Sequence, residues 1–379
     1  MHIIQLHNHK RQGGGDGSAF TRTCAILRRR GQPFSACTGS TPAGRMHSWD
    51  KLRLFGQSLF SRRGIGELAS LPEEGGPFVL HVHNLYPLFS PAVLAWARRH
   101  GIPVVYHCHN YRLTCPVEMH FRAGQTCRKC LEGGPGWCLA RNCRGNLAES
   151  AAYALQNLQA RRSGIADELV AAFIAPTCFT RDWLAAAGIP AAKLVVLPYP
   201  VPAPETAADP ARGDYVAFAG RCSPEKGLDT LLAAAKRTGL PLQVAGAPPG
   251  GAADHGVVWR GFLQGAELES FYRGARFLVV PSLWFETFGL VAAEAMAHGI
   301  PVIASRIGAL AEVVEDGRTG LLFSPGDADD LAETMMRLWD RPDLCRRLGA
   351  AGREKILRLC HPDAYYAGLM GLYARVVGG

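Results

Sequence analysis

Residues 281–305 read PSLWFETFGLVAAEAMAHGIPVIAS, and the punctuation of this stretch decides the architecture. A strand pattern, FLVVPS over 277–282, ends at Pro281-Ser282, and a loop holding Glu286 follows. Helix formers then run from Leu290 to His298. Gly299 supplies the C-terminal stop and Pro301 opens the next strand, PVIAS. In an open α/β sheet, ligands sit beyond the carboxyl ends of the strands, which places Glu286 at that crevice. The helix start turns the backbone N–H groups of Phe288, Gly289 and Leu290 toward the same place, and such a start attracts phosphate through its amides and dipole. Glu294 lies inside the helix, where it can reach a ribose diol or simply face water.

Outward from this unit the same alternation continues in both directions. Strand patterns recur at 215–220 (YVAFAG), 242–247 (LQVAGA) and 301–305. Earlier in the chain they fall at 2–7 (HIIQLH), 78–83 (FVLHVH) and 103–108 (PVVYHC). A helix over 18–30 ends in a basic turn and Gly31. Five prolines between Pro198 and Pro210 mark an extended hinge or linker. The expectation is an α/β protein of two Rossmann-like, doubly wound domains: residues 1–200 and 201–360. A last amphipathic helix, 363–376 within 361–379, carries aromatic side chains that need a surface, which the first domain can supply.

With 379 residues, 48% of them hydrophobic and 19% charged, the chain can bury two ordinary cores and reads as neither disordered nor membrane-spanning. The apolar run after Met1 is too short for a signal-peptide core, so a cytoplasmic protein with reduced thiols is expected. Of 41 Lys+Arg and 32 Asp+Glu, residues 1–200 hold 23 and 11. That basic half favours an anionic partner.

A second chemical stretch is YVAFAGRCSPEKGLDTLLAAA, 215–235. Gly220 lets backbone approach a ligand after the strand. Arg221 and Lys226 flank a Ser-Pro turn and can converge on one anion. Fixed cations of this kind stabilise a departing diphosphate without a metal. Gly13 and Gly14, in a three-glycine loop between strand and helix, read equally as a plain turn or as a phosphate-approaching loop. His109 ends the 103–108 strand, but one of 13 histidines is by chemistry alone more readily structural.

Together, GRCSPEKG, the 281–305 stretch and HVHNLYPLFSPAVLAWARRHGIPVVYHCHNYRLTCP (81–116) resemble glycosyltransferase family four, the retaining group of the GT-B fold. The resemblance covers nearly the whole chain. It implies two domains facing across a cleft, with the acceptor domain first and the nucleotide-sugar domain second. By that resemblance Arg221 and Lys226 contact the donor diphosphate, Glu294 the ribose and Glu286 the transferred sugar. Phe288, Gly289 and Leu290 would touch sugar and phosphate, Gly13 and Gly14 would approach the phosphate, and His109 matches the active-site histidine. The implied reaction is front-face transfer of a hexose-type sugar from a UDP- or GDP-sugar to a hydroxyl acceptor, with retention and without a catalytic divalent metal. Polysaccharide, glycolipid or other glycoconjugate synthesis would be its setting.

Cys115, Cys127, Cys130, Cys138 and Cys143 fall within an insertion at about 111–145. The Cys127-x-x-Cys130 pair has zinc-knuckle spacing. Four positions, Cys115, Cys127, Cys130 and Cys143, resemble those of similar insertions and form a candidate structural zinc site, with reduced thiols the alternative. Residues 45–63, RMHSWDKLRLFGQSLFSRR, set Leu52, Phe55, Leu59 and Phe60 beside Lys51, Arg53, Arg62 and Arg63 at helical spacing. This suits either a helix packed on the sheet or one lying on an anionic bilayer, with a glycan, lipid-linked or small-molecule acceptor. Two other readings stay open: another GT-B enzyme (a phosphorylase or an epimerase), and a basic zinc-knuckle nucleic-acid-binding protein. Against the latter, the basic residues are scattered and lack interleaved stacking aromatics.

Overall fold

Short aliphatic runs bounded by glycine and proline form strands buried on both faces, as parallel sheets require. The computed structural model describes residues 1–9, 14–40, 47–70, 77–247 and 256–378. It divides into two units: Met1–His120 with Cys127–Pro200 and Tyr365–Gly379, and Phe121–Thr126 with Val201–Ala364.

The first unit is built on β1 (His2–His9), β2 (Phe34–Ser40), β3 (Phe78–Asn84), β4 (Val104–His107), β5 (Ala172–Ala175) and β6 (Leu194–Val196). They lie in the order β2-β1-β3-β4-β5-β6, all parallel. One face carries Ile4, Leu6, Leu80, Val82, Tyr106 and Phe173 in a large apolar cluster. The opposite face changes character along the strands. Ile3, Val79, Val105 and Ile174 pack against Ile26 and Leu27 of the helix Gly15–Arg29, and against Tyr365, Leu369, Leu372 and Tyr373 of the helix Pro362–Gly378. Two residues further along each strand, the period of the pleat puts Gln5, His7, His81, His83 and His107 on that same face, all buried.

The second unit holds β7 (Tyr215–Ala219), β8 (Leu242–Ala245), β9 (Val257–Trp259), β10 (Ala275–Val280), β11 (Val302–Ser305) and β12 (Gly320–Phe323). Their order is β9-β8-β7-β10-β11-β12, again all parallel. Strand order reverses between β7 and β10, and in such sheets the crevice at the reversal is where ligands bind. Arg221 follows β7 and Glu286 follows β10, so the sequence motifs sit at the two lips of that crevice. In the first unit the reversal lies between β1 and β3.

Residues 45–63 do not form one helix. The described part folds as two, Ser48–Leu59 and Arg62–Ala69. Ser61 interrupts them because its hydroxyl accepts the Gly64 N–H at 3.1 Å and donates to the Leu88 carbonyl at 2.7 Å, which is an N-cap tied to a neighbouring loop. Among the described residues no helix is long and apolar enough to cross a membrane.

Candidate functional site

In the second unit the loop after β10 folds against the loop after β7. Lys226 donates to Glu286 at 2.7 Å, and Ser282 donates to the same carboxylate oxygen at 2.8 Å. Burial opposes ionisation of Glu286, but the Lys226 ammonium and these hydrogen bonds outweigh it and hold the carboxyl below its ordinary range. The Trp284 ring lies 5.4 Å from the Lys226 ammonium, a cation–π contact. Two backbone features fix this pairing. The Leu283 N–H bonds the Glu225 carbonyl at 2.9 Å. Gly227 sits at φ 68°, where an added Cβ would lie 1.9 Å from the Pro281 carbonyl oxygen, so only glycine allows the two loops this close.

Arg221 is held differently from Lys226. It reaches Glu225 at 3.3 Å, and the buried Glu225 also accepts Ser223 Oγ at 2.6 Å. Two cations therefore face two carboxylates, which offset most of their field. Glu294 lies on the helix Leu290–Ala297, and Tyr272 donates to it at 3.0 Å. That helix begins at Gly289, whose φ of 90° puts it in the left-handed region. Its first intrahelical bonds run from the Ala292 and Ala293 N–H groups to the Gly289 carbonyl. The Gly289 and Leu290 amides thus lie ahead of the ladder, at the positive end of the helix. The backbone of this loop is braced from behind, because Ala309 N–H bonds the Glu286 carbonyl at 3.2 Å.

In the first unit, Gly13 lies outside the described residues. Gly14 precedes the helix Gly15–Arg29, and an ideal Cβ there would fall 2.6 Å from Asp16 Oδ1. Asp16 is buried in the first helical turn and accepts from Asn84 Nδ2 at 3.3 Å. A carboxylate already occupies this helix start, which weakens it as a phosphate cradle. His109 lies in a stack of imidazoles, 4.2 Å from the His107 ring and 5.0 Å from the His83 ring. Its Nε2 pairs with His83 Nδ1 at 2.9 Å and its Nδ1 with Tyr199 Oη at 2.7 Å. Burial lowers the pKa of His81 to about 3 and those of His83 and His107 well below the ordinary value, so the three rings are neutral. The ligating atoms of His81, His83 and His107 lie within 4.8 Å of one another. Both His83 nitrogens are engaged, with Gln5 and His109, so one ion cannot collect all three without breaking that chain.

The family model "Glycosyl transferase 4-like domain" matches residues 14–200, and "Glycosyl transferases group 1" matches residues 213–341. The chain belongs to the family-four type of glycosyltransferases. A D-inositol 3-phosphate glycosyltransferase of Frankia alni is 39% identical over 167 residues, which is 37% of this chain and 41% of that protein. The chain spans 28–43% of the length of the first curated relatives it matches. Sucrose-phosphate synthase from Thermosynechococcus elongatus superposes with a TM-score of 0.71 at 20% identity, covering 100% of this chain and 99% of that one. Anabaena HepE in complex with UDP gives 0.66 at 16% identity, covering 99% and 100%. At these identities the likeness establishes the fold, which is GT-B.

In this family member the cysteine insertion forms its own small core. Cys130 and Cys138 are buried beside Ala154, with Cys143 and Tyr153 packed against them. The backbone N–H groups of Val117, Met119 and His120 point at the Cys115 sulfur. Glu118 and His120 adopt positive φ, 71° and 49°, to make that turn. Arg161 ties the two cysteine loops by donating to the carbonyls of Thr114 and Cys130, each at 2.9 Å. Cys127 is only half-buried, whereas Cys138 is fully buried and neighbours Cys143. Burial, together with Cys115, Cys127, Cys138 and Cys143, which all neighbour Cys130, pushes the Cys130 thiol up to about 12.

Several site residues went unread in the sequence. Ser223-x-Glu225 inside GRCSPEKG carried a signal, since a buried acid is the natural counterion of Arg221. Tyr272, Tyr199 and Gln5 carried none, because each meets its partner only through tertiary folding.

Proposed function

We propose that the protein is a retaining glycosyltransferase that moves a hexose-type sugar from a UDP- or GDP-sugar to a hydroxyl acceptor, without a catalytic divalent metal. The observation that carries this reading is the Lys226–Glu286 pair, fixed at 2.7 Å where the strand order of the second sheet reverses. A donor entering there finds an acid for sugar hydroxyls, a shared ammonium for the diphosphate and helix amides at Gly289 and Leu290. Lys226 and Arg221 gain charge to offset when the diphosphate departs, and their present carboxylate partners hold them in place until then. Glu294, steadied by Tyr272, takes the ribose diol. On the same reading His109, Gly13 and Gly14 supply the first unit's contacts to donor and phosphate. The proposed route to retention is front-face displacement, since among the described residues no side chain stands out as a covalent nucleophile. The reading as a phosphorylase, an epimerase or a nucleic-acid binder has no observation in its favour.

Two further assignments accompany this one. Trp49, Leu52 and Phe60 are exposed near Arg53 and Arg62, which favours a protein of the cytoplasm that rests on an anionic membrane face and takes a lipid-linked acceptor. Of Lys51, Arg53, Arg62 and Arg63, Lys51 pairs with Glu149 and Arg63 with Glu67, so their share of the attraction is smaller. A structural zinc held by Cys115, Cys127, Cys130 and Cys143 is supported by the three amides that face the Cys115 sulfur: burial pushes this thiol up, and the amides oppose that in favour of the thiolate a metal takes. Thermal-shift screening against UDP-, GDP-, ADP- and TDP-sugars, then turnover of each hit in EDTA, tests the main reading. Turnover of one nucleotide sugar without added metal is expected. A requirement for added magnesium in the chemical step, or no stabilisation by any nucleotide sugar, would refute it.

A further inference from the structure

The polar end of the first sheet is a single hydrogen-bonded chain. Tyr199 Oη meets His109 Nδ1 at 2.7 Å, and His109 Nε2 meets His83 Nδ1 at 2.9 Å. His83 Nε2 meets Gln5 Oε1 at 2.8 Å. Beyond the Gln5 amide, Nε2 faces His81 Nδ1 at 3.3 Å and Tyr373 Oη at 3.4 Å, and Tyr373 Oη lies 2.6 Å from His81 Nδ1. Gln5, His81 and Tyr373 are completely buried and His83, His109 and Tyr199 nearly so, which leaves little room for water to rearrange the protons.

An amide oxygen can only accept, so His83 Nε2 must donate to Gln5. His83 is neutral and has one N–H, which leaves its Nδ1 bare. His109 must then carry a proton on Nε2 and give it to His83, and its Nδ1 is left to accept from Tyr199. We infer that Gln5 is a positioning residue that sets the tautomer of His109 through His83, with Tyr373 of the C-terminal helix anchoring the amide from behind. The consequence, which rests on placing His109 at the reacting end of this unit, is that His109 works as an oriented dipole and ring surface. Neither of its nitrogens can take the acceptor's proton without breaking the chain. Gln5 thus touches no substrate and acts two side chains away.

The test uses the full chain labelled with ¹⁵N in its imidazoles, with His109 and His83 resonances assigned by difference against His109→Gln and His83→Gln. The wild-type spectrum should show the proton of each ring on Nε2, and a proton on His109 Nδ1 instead would overturn the inference without any Gln5 variant. Gln5→Met, close in size but without an acceptor, should mix the two His109 tautomers. It should also lower kcat about tenfold or more with KM within about twofold, the pattern of an interaction lost at the chemical step. Gln5→Glu keeps an acceptor facing His83 and should restore the Nε2–H tautomer and most of kcat. A folded Gln5→Met protein with a single unchanged His109 tautomer and unchanged kcat would also overturn it. Full activity in His109→Gln would instead remove His109 from the active site, while the tautomer result would stand on its own.

Discussion

Replacing Lys226 by methionine tests both the chemistry and the electrostatics of the second unit. Lys226 and Glu286 are 22% and 9% exposed at the side chain and 2.7 Å apart, so this pair is mostly desolvated. Without Lys226 the buried Glu286 loses its ammonium partner, and breaking a buried pair leaves an uncompensated charge worth about 3 kcal/mol. The loss should depend on pH. In the wild type the folded pKa of Glu286 is depressed, so its contribution is present above the unfolded pKa and fades as pH falls through the folded one. In Lys226→Met burial dominates and raises that pKa, so the penalty is full at high pH and is relieved when the carboxyl takes up a proton. The second unit should therefore melt roughly 6–12 °C below wild type at pH 8, and visibly closer to it at pH 5. Turnover should drop about 10²-fold, the scale of one lost electrostatic contact to a leaving group. Adding Glu286→Gln should recover much of the melting temperature but none of the turnover. Calorimetry at the two pH values, with initial rates on the donor found by screening, measures all of this. An equal melting loss at both pH values together with near-normal turnover would refute the reasoning.

Gly227→Ala should destabilise by about 2–4 kcal/mol in denaturant titration, from the left-handed backbone and the collision with the Pro281 carbonyl, and should cost activity by moving Lys226. Metal analysis of protein purified under reducing conditions should find about one zinc per chain. Cys127→Ser should lose that zinc while Cys138→Ser keeps it, and zinc-free protein that is folded and active would end the proposal. Co-sedimentation with vesicles should need anionic lipid and weaken with salt. Replacing Trp49, Leu52 and Phe60 together by serine should abolish binding, whereas equal recovery with neutral vesicles would favour a soluble acceptor.

The fold was legible wherever local signals agreed with each other. The stretch 281–305 names a strand end, a helix and a stop within one turn each, and the helix is found at Leu290–Ala297, within a residue of its expected bounds. Strands at the sheet edges were not readable. β2 is FSACTGS, β6 is LVV and β9 is VVW, too short or too polar to stand out from loop, and they exist because a neighbouring strand offers them a ladder. The segment 45–63 failed for another reason. Its apolar spacing fits one helix, but Ser61 finds a tertiary partner in the Leu88 carbonyl, and a cap secured by tertiary structure overrides spacing.

The site divides along the same line. Lys226, Glu286 and the Gly289 helix start are close in sequence to strand ends, and the rule that ligands gather at carboxyl ends of parallel strands was enough to find them. What it could not supply is that the two charges are partners before any ligand arrives, because residues 60 apart in sequence meet only when Gly227 lets their loops touch. In the first unit the alternation of HIIQLH and HVHN gave strands, but a buried strand face should be apolar, and four imidazoles and an amide on one face contradict that rule. Local sequence reading treats each histidine separately and finds nothing decisive in any of them. Only the register of β1, β3 and β4 shows that they stack in one layer, and only the C-terminal helix, almost 300 residues further on, brings the tyrosine that closes the chain at His81. A polar layer of this kind costs stability at every unsatisfied nitrogen, two of them on His107. That cost argues for a role in orienting His109, where packing alone would have chosen valine or leucine.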